Sequence, residues 1–389
     1  MHSPMAGPRY YLRRMKSLAS SPAFKLLVTG LCLFIGFRWV LRHNHDGDVD
    51  VISIEVDDEE IDWTGFYYAM FVRSERELCE AVMGWSGMEE IGSRAQRVMF
   101  YPEDWGLEQG EKGKRKEERI ERLLNAAEEL YVDLSPLPAL SRITMWTRGP
   151  EKGTEGLDPR LIAFNLTEYS RVLVLSPGAL LLQNLDELFL FPDAPIAMPW
   201  VYHEHGKEEW DYDTRTMLIR PSTKDFQSLL KSYSSSIAPP TPRPVPALKL
   251  LHRKFGSKIL RIPQRPYHLT TNEFRRDDHT PYLAHNSLST PNEEWDPDDA
   301  LDEAKIVHYH DPGFPRPWFK AERGLMNRYM PACRVLDGFG ASDCRDRHTW
   351  LDLYRGFGVG KTVVCGADFE REVEVDSGKG ERSDDGFGD

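Results

Sequence analysis

The sequence predicts an α/β fold built on a mostly parallel central sheet flanked by helices, with an N-terminal membrane anchor. Three observations predict it. Apolar runs of strand length recur from Tyr67 onward, segments of helical character separate them, and an uncharged apolar stretch lies between basic residues near the N-terminus. The 389 residues are 40% hydrophobic and 29% charged, the balance of a globular body. The formal net charge of -13 argues against a nucleic-acid binder, whose affinity comes mainly from basic patches. A local basic pocket stays compatible with that charge.

Residues 1–22 are basic and read as a cytosolic tail. Residues 23–41 hold the apolar run, uncharged from Leu26 to Phe37 and extended by Trp39, Val40 and Leu41. It is shorter than the about 20 residues of a typical span, but Lys25 and Arg38 can snorkel to the headgroups. Basic residues dominate before the run, whereas Asp46, Asp48 and Asp50 follow it. This predicts a signal-anchor helix with a cytosolic N-terminus. A cleaved signal and a buried helix are the alternatives, and no small-x-small cleavage site follows the run. Residues 42–62 read as a stem, residues 63–366 as the body, and residues 367–389 as a disordered acidic tail.

Within the body, Tyr67–Val72 reads as a first strand. Residues 75–92 read as a helix stopped by Gly92, and Arg97–Tyr101 as a second strand. Residues 108–130 suit an exposed helix. Arg142–Trp146 is the candidate third strand and Arg171–Leu175 the fourth, followed by a Pro-Gly break and the apolar stretch Ala179–Leu182. Residues 236–247 are too rich in proline for regular structure. Of five cysteines, Cys32 lies in the apolar run. Disulfides are permitted among Cys79, Cys333, Cys344 and Cys365 if the body is lumenal, with Cys333 and Cys344 near enough in sequence to clip a loop. Asn165-Leu166-Thr167 is a glycosylation sequon.

Four stretches carry a family resemblance. They are residues 62–101, which begin DWTGFYYAMFV; residues 161–191, with RVLVLSPGALLLQNLDELF; residues 303–318 (EAKIVHYHDPGFPRPW); and residues 343–365 (DCRDRHTWLDLYRGFGVGKTVVC). In this order they resemble glycosyltransferase family 8, and within it the fungal N-acetylglucosaminyltransferase branch. The resemblance spans Trp63 to Cys365. It implies a GT-A (nucleotide-diphospho-sugar transferase) fold, UDP-N-acetylglucosamine as donor, a glycan acceptor and transfer with retention. It also implies a Golgi membrane protein of single-pass type II topology with a lumenal body.

The same resemblance names site residues. The leaving diphosphate needs its charge neutralised, usually by Mn²⁺ on hard carboxylate oxygens. The family's D-x-D should stand at Ser176-Pro177-Gly178, where no acid is present. Ser176, Gly178, Ala69 and Arg316 are the candidate donor-binding residues, Arg316 standing where the family has a lysine before Pro-Trp. His308 is the candidate metal ligand, and His310 shares its face if this segment is a strand. Asp186 and Glu187 read as a helix N-terminus. On the acceptor side, Ile262–Tyr267 resembles a family motif, but a family acid upstream falls on Ala247 by ungapped count. The expected function is therefore an N-acetylglucosaminyltransferase. The alternatives are a non-catalytic member that binds a nucleotide sugar, a glycan or a partner, and a transferase that works without a metal.

Overall fold

The computed structural model describes residues 61–105, 111–137, 157–204, 208–236, 245–283, 293–318, 321, 323–335, 342–369 and 373. The organising strand is Phe66–Phe71 (β1), whose last four residues are all buried. Its side chains alternate between two cores. Tyr68 and Met70 join one apolar cluster, and Ala69 and Phe71 join the other on the opposite face. A strand covered on both faces reads as a continuous apolar run. The same holds for Gln96–Pro102 (β2) and Arg171–Leu175 (β4).

Between them runs the helix Glu75–Ile91 (α1). The Ser74 hydroxyl accepts from the Glu77 N–H, and the Glu77 carboxylate accepts from the Arg73 N–H. Together they cap the first turn. Gly92 ends the helix at φ 76, donating its N–H to the Met88 carbonyl. Leu78, Val82, Trp85 and Met88 form the buried face. A second helix, Glu111–Glu129 (α2), follows β2.

The third strand is Asp133–Leu137 (β3), which pairs parallel with β2 at the sheet edge. The candidate at Arg142–Trp146 lies outside the described residues. Asp133–Leu137 escaped the pattern because it is an edge strand with a proline and no buried side chain along its length. Beyond β4 come Ile196–Glu204 (β6), Glu208–Tyr212 (β7), Thr216–Ile219 (β8) and Ile259–Ile262 (β9). The sheet order is β3-β2-β1-β4-β8-β6-β7, with β9 also on β6. Only β7 and β8 run against the rest, so the sheet is mostly parallel.

The stretch Ala179–Leu182 contributes only Leu180–Leu181 (β5), and not to this sheet. It pairs antiparallel with Ile306–His308 (β11), which also pairs with Leu269–Thr270 (β10). Helices Thr223–Ser236 (α3) and Ala247–Phe255 (α4) flank residues 237–244, which lie outside the described residues. The helix Arg345–Cys365 (α5) closes the body. A Cys79–Cys365 disulfide joins α1 to the end of α5 across 286 residues, and Cys333–Cys344 clips a short loop. The expected tail, anchor and most of the stem, residues 1–60, lie outside the described residues. Among the described residues no helix is long and apolar enough to cross a membrane.

Candidate functional site

In the main sheet β2 and β3 lie to one side of β1, and β4 lies to the other. The strand order therefore reverses between β1 and β4. Ligands of open α/β sheets bind outside the carboxyl ends of the strands at such a point. Arg73 follows the end of β1, and Ser176 follows the end of β4.

Ser176 is held from two sides. Its N–H donates to the Arg215 carbonyl at 2.9 Å, and its hydroxyl accepts from Arg160 Nη1 at 3.2 Å. Arg160 also donates to the Thr214 carbonyl at 2.6 Å and grips Asp158 through Nη2 at 2.6 Å. Burial works against the Asp158 charge, but Arg160, with Arg73 adding to it, holds this carboxyl below its usual range. Arg215 grips Asp213 in the same way, through Nε at 3.0 Å to both oxygens and Nη2 at 2.6 Å. Burial again opposes, and Arg215, His268 and His308 hold Asp213 well below the carboxylate range. These two carboxylates neutralise Arg160 and Arg215. Arg73, with half of its side chain exposed and paired to Glu77, follows the end of β1, and Arg316 is exposed.

His308 lies behind this layer, 3% exposed, with Nε2 buried and without a hydrogen-bond partner. Its ring lies 4.7 Å from that of His268, which is 3.8 Å from Asp213. Burial, then His268 and Arg215, push the His308 imidazole well below its usual range, so it stays neutral. His310 adds to that shift but is not buried with His308. The strand ends at His308, the period-two alternation stops there, and His310 is exposed. The turn that follows is fixed by Asp311, a buried carboxylate accepting from Thr271, Arg275, Trp350 and Tyr354.

Gly178 adopts φ 79. A Cβ there would lie 3.0 Å from the Glu80 carboxyl carbon and 3.1 Å from each of its oxygens. The Glu80 carboxyl thus fills the space that a side chain at position 178 would occupy. Burial pushes this carboxyl up to about 7, with Glu77 adding to the shift and Arg316 and Arg76 opposing it. Arg316 is therefore close enough to act on Glu80, and Glu80 lies against Gly178. Glu80 thus connects Gly178, two residues after Ser176, with the charge of Arg316.

Ala69 does not. It is fully buried at mid-strand, paired to Val98 and Val174, and packed in the second core. Its side chain meets only protein, because a central strand covered on both faces opens to a ligand only beyond its end. Ala247 likewise sits in the first turn of α4, buried in the same core. Asp186 is buried and accepts from Tyr68, Ser93, Asn184 and the Arg94 N–H, which makes it structural. Arg73, Glu80, Arg160, Asp213 and Arg215 were missed by sequence reasoning. Only the position of Arg73 just after a strand gave any signal.

The residues here do not fit a divalent cation of the Mn²⁺ kind, which takes several oxygen ligands. Ser176 and Gly178 offer no carboxylate, both Asp213 oxygens are committed to Arg215, and His308, its Nε2 buried, has the His268 ring beside it. Among the described residues no group of three His, Cys, Asp or Glu side chains could hold a metal ion.

No family model matches the chain. It is 33% identical over 316 residues to the Aspergillus fumigatus protein named glucose N-acetyltransferase 1, covering 78% of this chain and 77% of that one. It is 32% identical over 309 residues to the Gibberella zeae protein of the same name, covering 78% of this chain and 63%, less than two thirds, of the relative. Among solved structures, the bifunctional glycosyltransferase WbbM aligns at TM-score 0.44 and 11% identity, over 70% of this chain and 48% of that one. The galactosyltransferase LgtC in complex with donor and acceptor sugar analogs aligns at 0.43 and 10%, over 75% and 95%.

Proposed function

The chain belongs to the family of the proteins named glucose N-acetyltransferase 1, and from that premise we propose that it is a glycosyltransferase with a GT-A fold. In this reading it takes N-acetylglucosamine from UDP-N-acetylglucosamine and places it on a glycan with retention. The bond between the anomeric carbon and the diphosphate breaks, a bond to the acceptor oxygen forms, and the acceptor hydroxyl passes its proton to the departing diphosphate, which leaves as UDP. The observation that carries the reading is the reversal of strand order between β1 and β4, with Arg73 and Ser176 at the two strand ends.

In this reading the diphosphate lies against Ser176 and against Arg316, whose guanidinium group supplies paired N–H donors and positive charge, with Arg73, paired to Glu77, beside them. Arg160 and Arg215 act indirectly. They orient Ser176 and the 213–216 turn while Asp158 and Asp213 hold them in place. Guanidinium groups do here what a cation on two carboxylates does elsewhere. A second reading, donor binding without transfer, is favoured by the absence of an acid at Ser176, Gly178 and Ala247.

The site belongs to a lumenal body held to the Golgi membrane by residues 23–41, in type II orientation. Two disulfides in the body support an oxidising compartment.

The test is calorimetric titration of the full-length chain with UDP and UDP-N-acetylglucosamine, with Mn²⁺ or with EDTA, alongside sugar transfer and donor hydrolysis. Binding that EDTA leaves unchanged, and that Arg316→Ala weakens about tenfold or more, is expected. Tight binding lost in EDTA overturns the guanidinium reading. Donor binding without any turnover selects the second reading.

A further inference from the structure

Among the described residues of this region, Glu80 is an acid that the donor reading leaves without a task. It projects from α1 one turn beyond Glu77 and is partly buried. Its carboxyl group lies in the space that a side chain at Gly178 would fill. The preceding residue, Cys79, is bonded to Cys365, so α1 is tied to α5 at this point. Among the described residues, no hydrogen bond or ion pair occupies the Glu80 oxygens. The charged groups that act on it are Glu77 and Arg76 from its own helix and Arg316 from the segment after β11.

In its ionised form a carboxyl group in this place repels phosphate oxygens. It can accept hydrogen bonds from alcohols, and charge makes such bonds strong. A diphosphate held by Arg316 and Ser176 is flanked on both sides by sugars that carry hydroxyls. We propose that the Glu80 carboxyl group, seated against Gly178 beside Arg316, recognises hydroxyls of the donor's sugar and is a specificity-determining residue of the donor site. The proposal rests on the donor-site reading above. The shared chemistry is the sugar hydroxyl, on the ribose or on the transferred hexose. The burial that pushes the group up to about 7 leaves it half protonated near neutrality, able to donate as well as accept.

The experiment is titration of the full-length wild type, Glu80→Gln and Glu80→Ala with UDP, 2′-deoxy-UDP, 3′-deoxy-UDP and UDP-N-acetylglucosamine. If Glu80 binds the hexose, Glu80→Ala lowers affinity for UDP-N-acetylglucosamine about tenfold to a hundredfold and leaves UDP unchanged. If it binds the ribose, wild type prefers UDP over one deoxy analogue, and Glu80→Ala erases that preference. Glu80→Gln keeps part of either effect. Removing a carboxyl whose ionised form burial disfavours leaves the melting temperature above neutral pH unchanged or higher, which confirms folding. Equal loss for all four nucleotides, or no loss in any, overturns the assignment of Glu80. No binding of any nucleotide by wild type overturns the donor site itself and this assignment with it.

Discussion

At Gly178 the backbone and a neighbour both exclude a side chain. At φ 79 an L-residue pays about 1–2 kcal/mol, and a Cβ also meets the Glu80 carboxyl. Gly178→Ala is therefore expected to lower stability by at least that amount in denaturant titration. In a Glu80→Ala background the cost falls to the backbone part alone, a coupling that a double-mutant cycle reads directly. The same geometry opposes restoring the family acid by Gly178→Asp. His308 makes a second prediction. Its folded pKa is depressed, so below about 6.5 the unfolded chain binds a proton that the folded chain does not. Stability is complete above that pH and is lost as pH falls. Asp213, also depressed, loses its contribution in the same direction but at lower pH. The melting temperature should fall between neutral and mildly acid pH, and His308→Gln should flatten that fall. A melting curve as steep as wild type in the variant would contradict it.

Helix α1 connects the chemistry to the scaffold. It starts at the capped Ser74, carries Glu80 at the site and buries Trp85 in the core. The Cys79–Cys365 bond closes a loop of 286 residues. Long loops give a disulfide its largest effect on the unfolded chain, and losing a native one typically costs about 2–5 kcal/mol. Cys79→Ser with Cys365→Ser is expected to cost that much in chemical denaturation. Cys333→Ser with Cys344→Ser, closing a separation of only 11 residues, is expected to cost less. Equal costs would show that the long bridge does not constrain the unfolded chain. The elements legible in advance were β1, α1, β2, α2 and β4: the strands are buried on two faces, α1 carries local capping signals, and α2 is a long charged run with few apolar residues. Strand β3 was not, since an edge strand with Pro136 carries little apolar pattern. Strands β6 to β9 were not read either, although β8 is buried throughout. Its four residues, Thr216–Ile219, are too short a run to separate strand from helix.

For the whole molecule, compartment and anchoring can be tested on one residue. Asn165 and Thr167 of the sequon are both exposed where the turn Pro159–Asn165 ends. If residues 23–41 anchor a lumenal body, Asn165 enters the compartment where N-glycans are attached. Expressed in a eukaryotic cell, the chain should shift in electrophoretic mobility on glycosidase treatment, and Asn165→Gln should abolish the shift. In sealed microsomes the body should resist added protease until detergent is present. Degradation without detergent would place the body on the cytosolic side and remove the Golgi reading.

The sequence by itself determined the family and the alternation of strands and helices that yields a mostly parallel sheet. It also showed that no acid stands at Ser176 or Gly178. Each of these is written in local order, in runs and motifs that need no distant contact. Tertiary structure alone decided which charges meet. Arg160 reaches Ser176 across 16 residues, Arg215 presents its carbonyl to the same serine, and Glu80 lies against Gly178 from nearly a hundred residues earlier. It also put Ala69 and Ala247 in the core and separated buried His308 from exposed His310. Side-chain burial and charge pairing depend on how the sheet and its loops bring remote segments together, and spacing along the chain does not encode that.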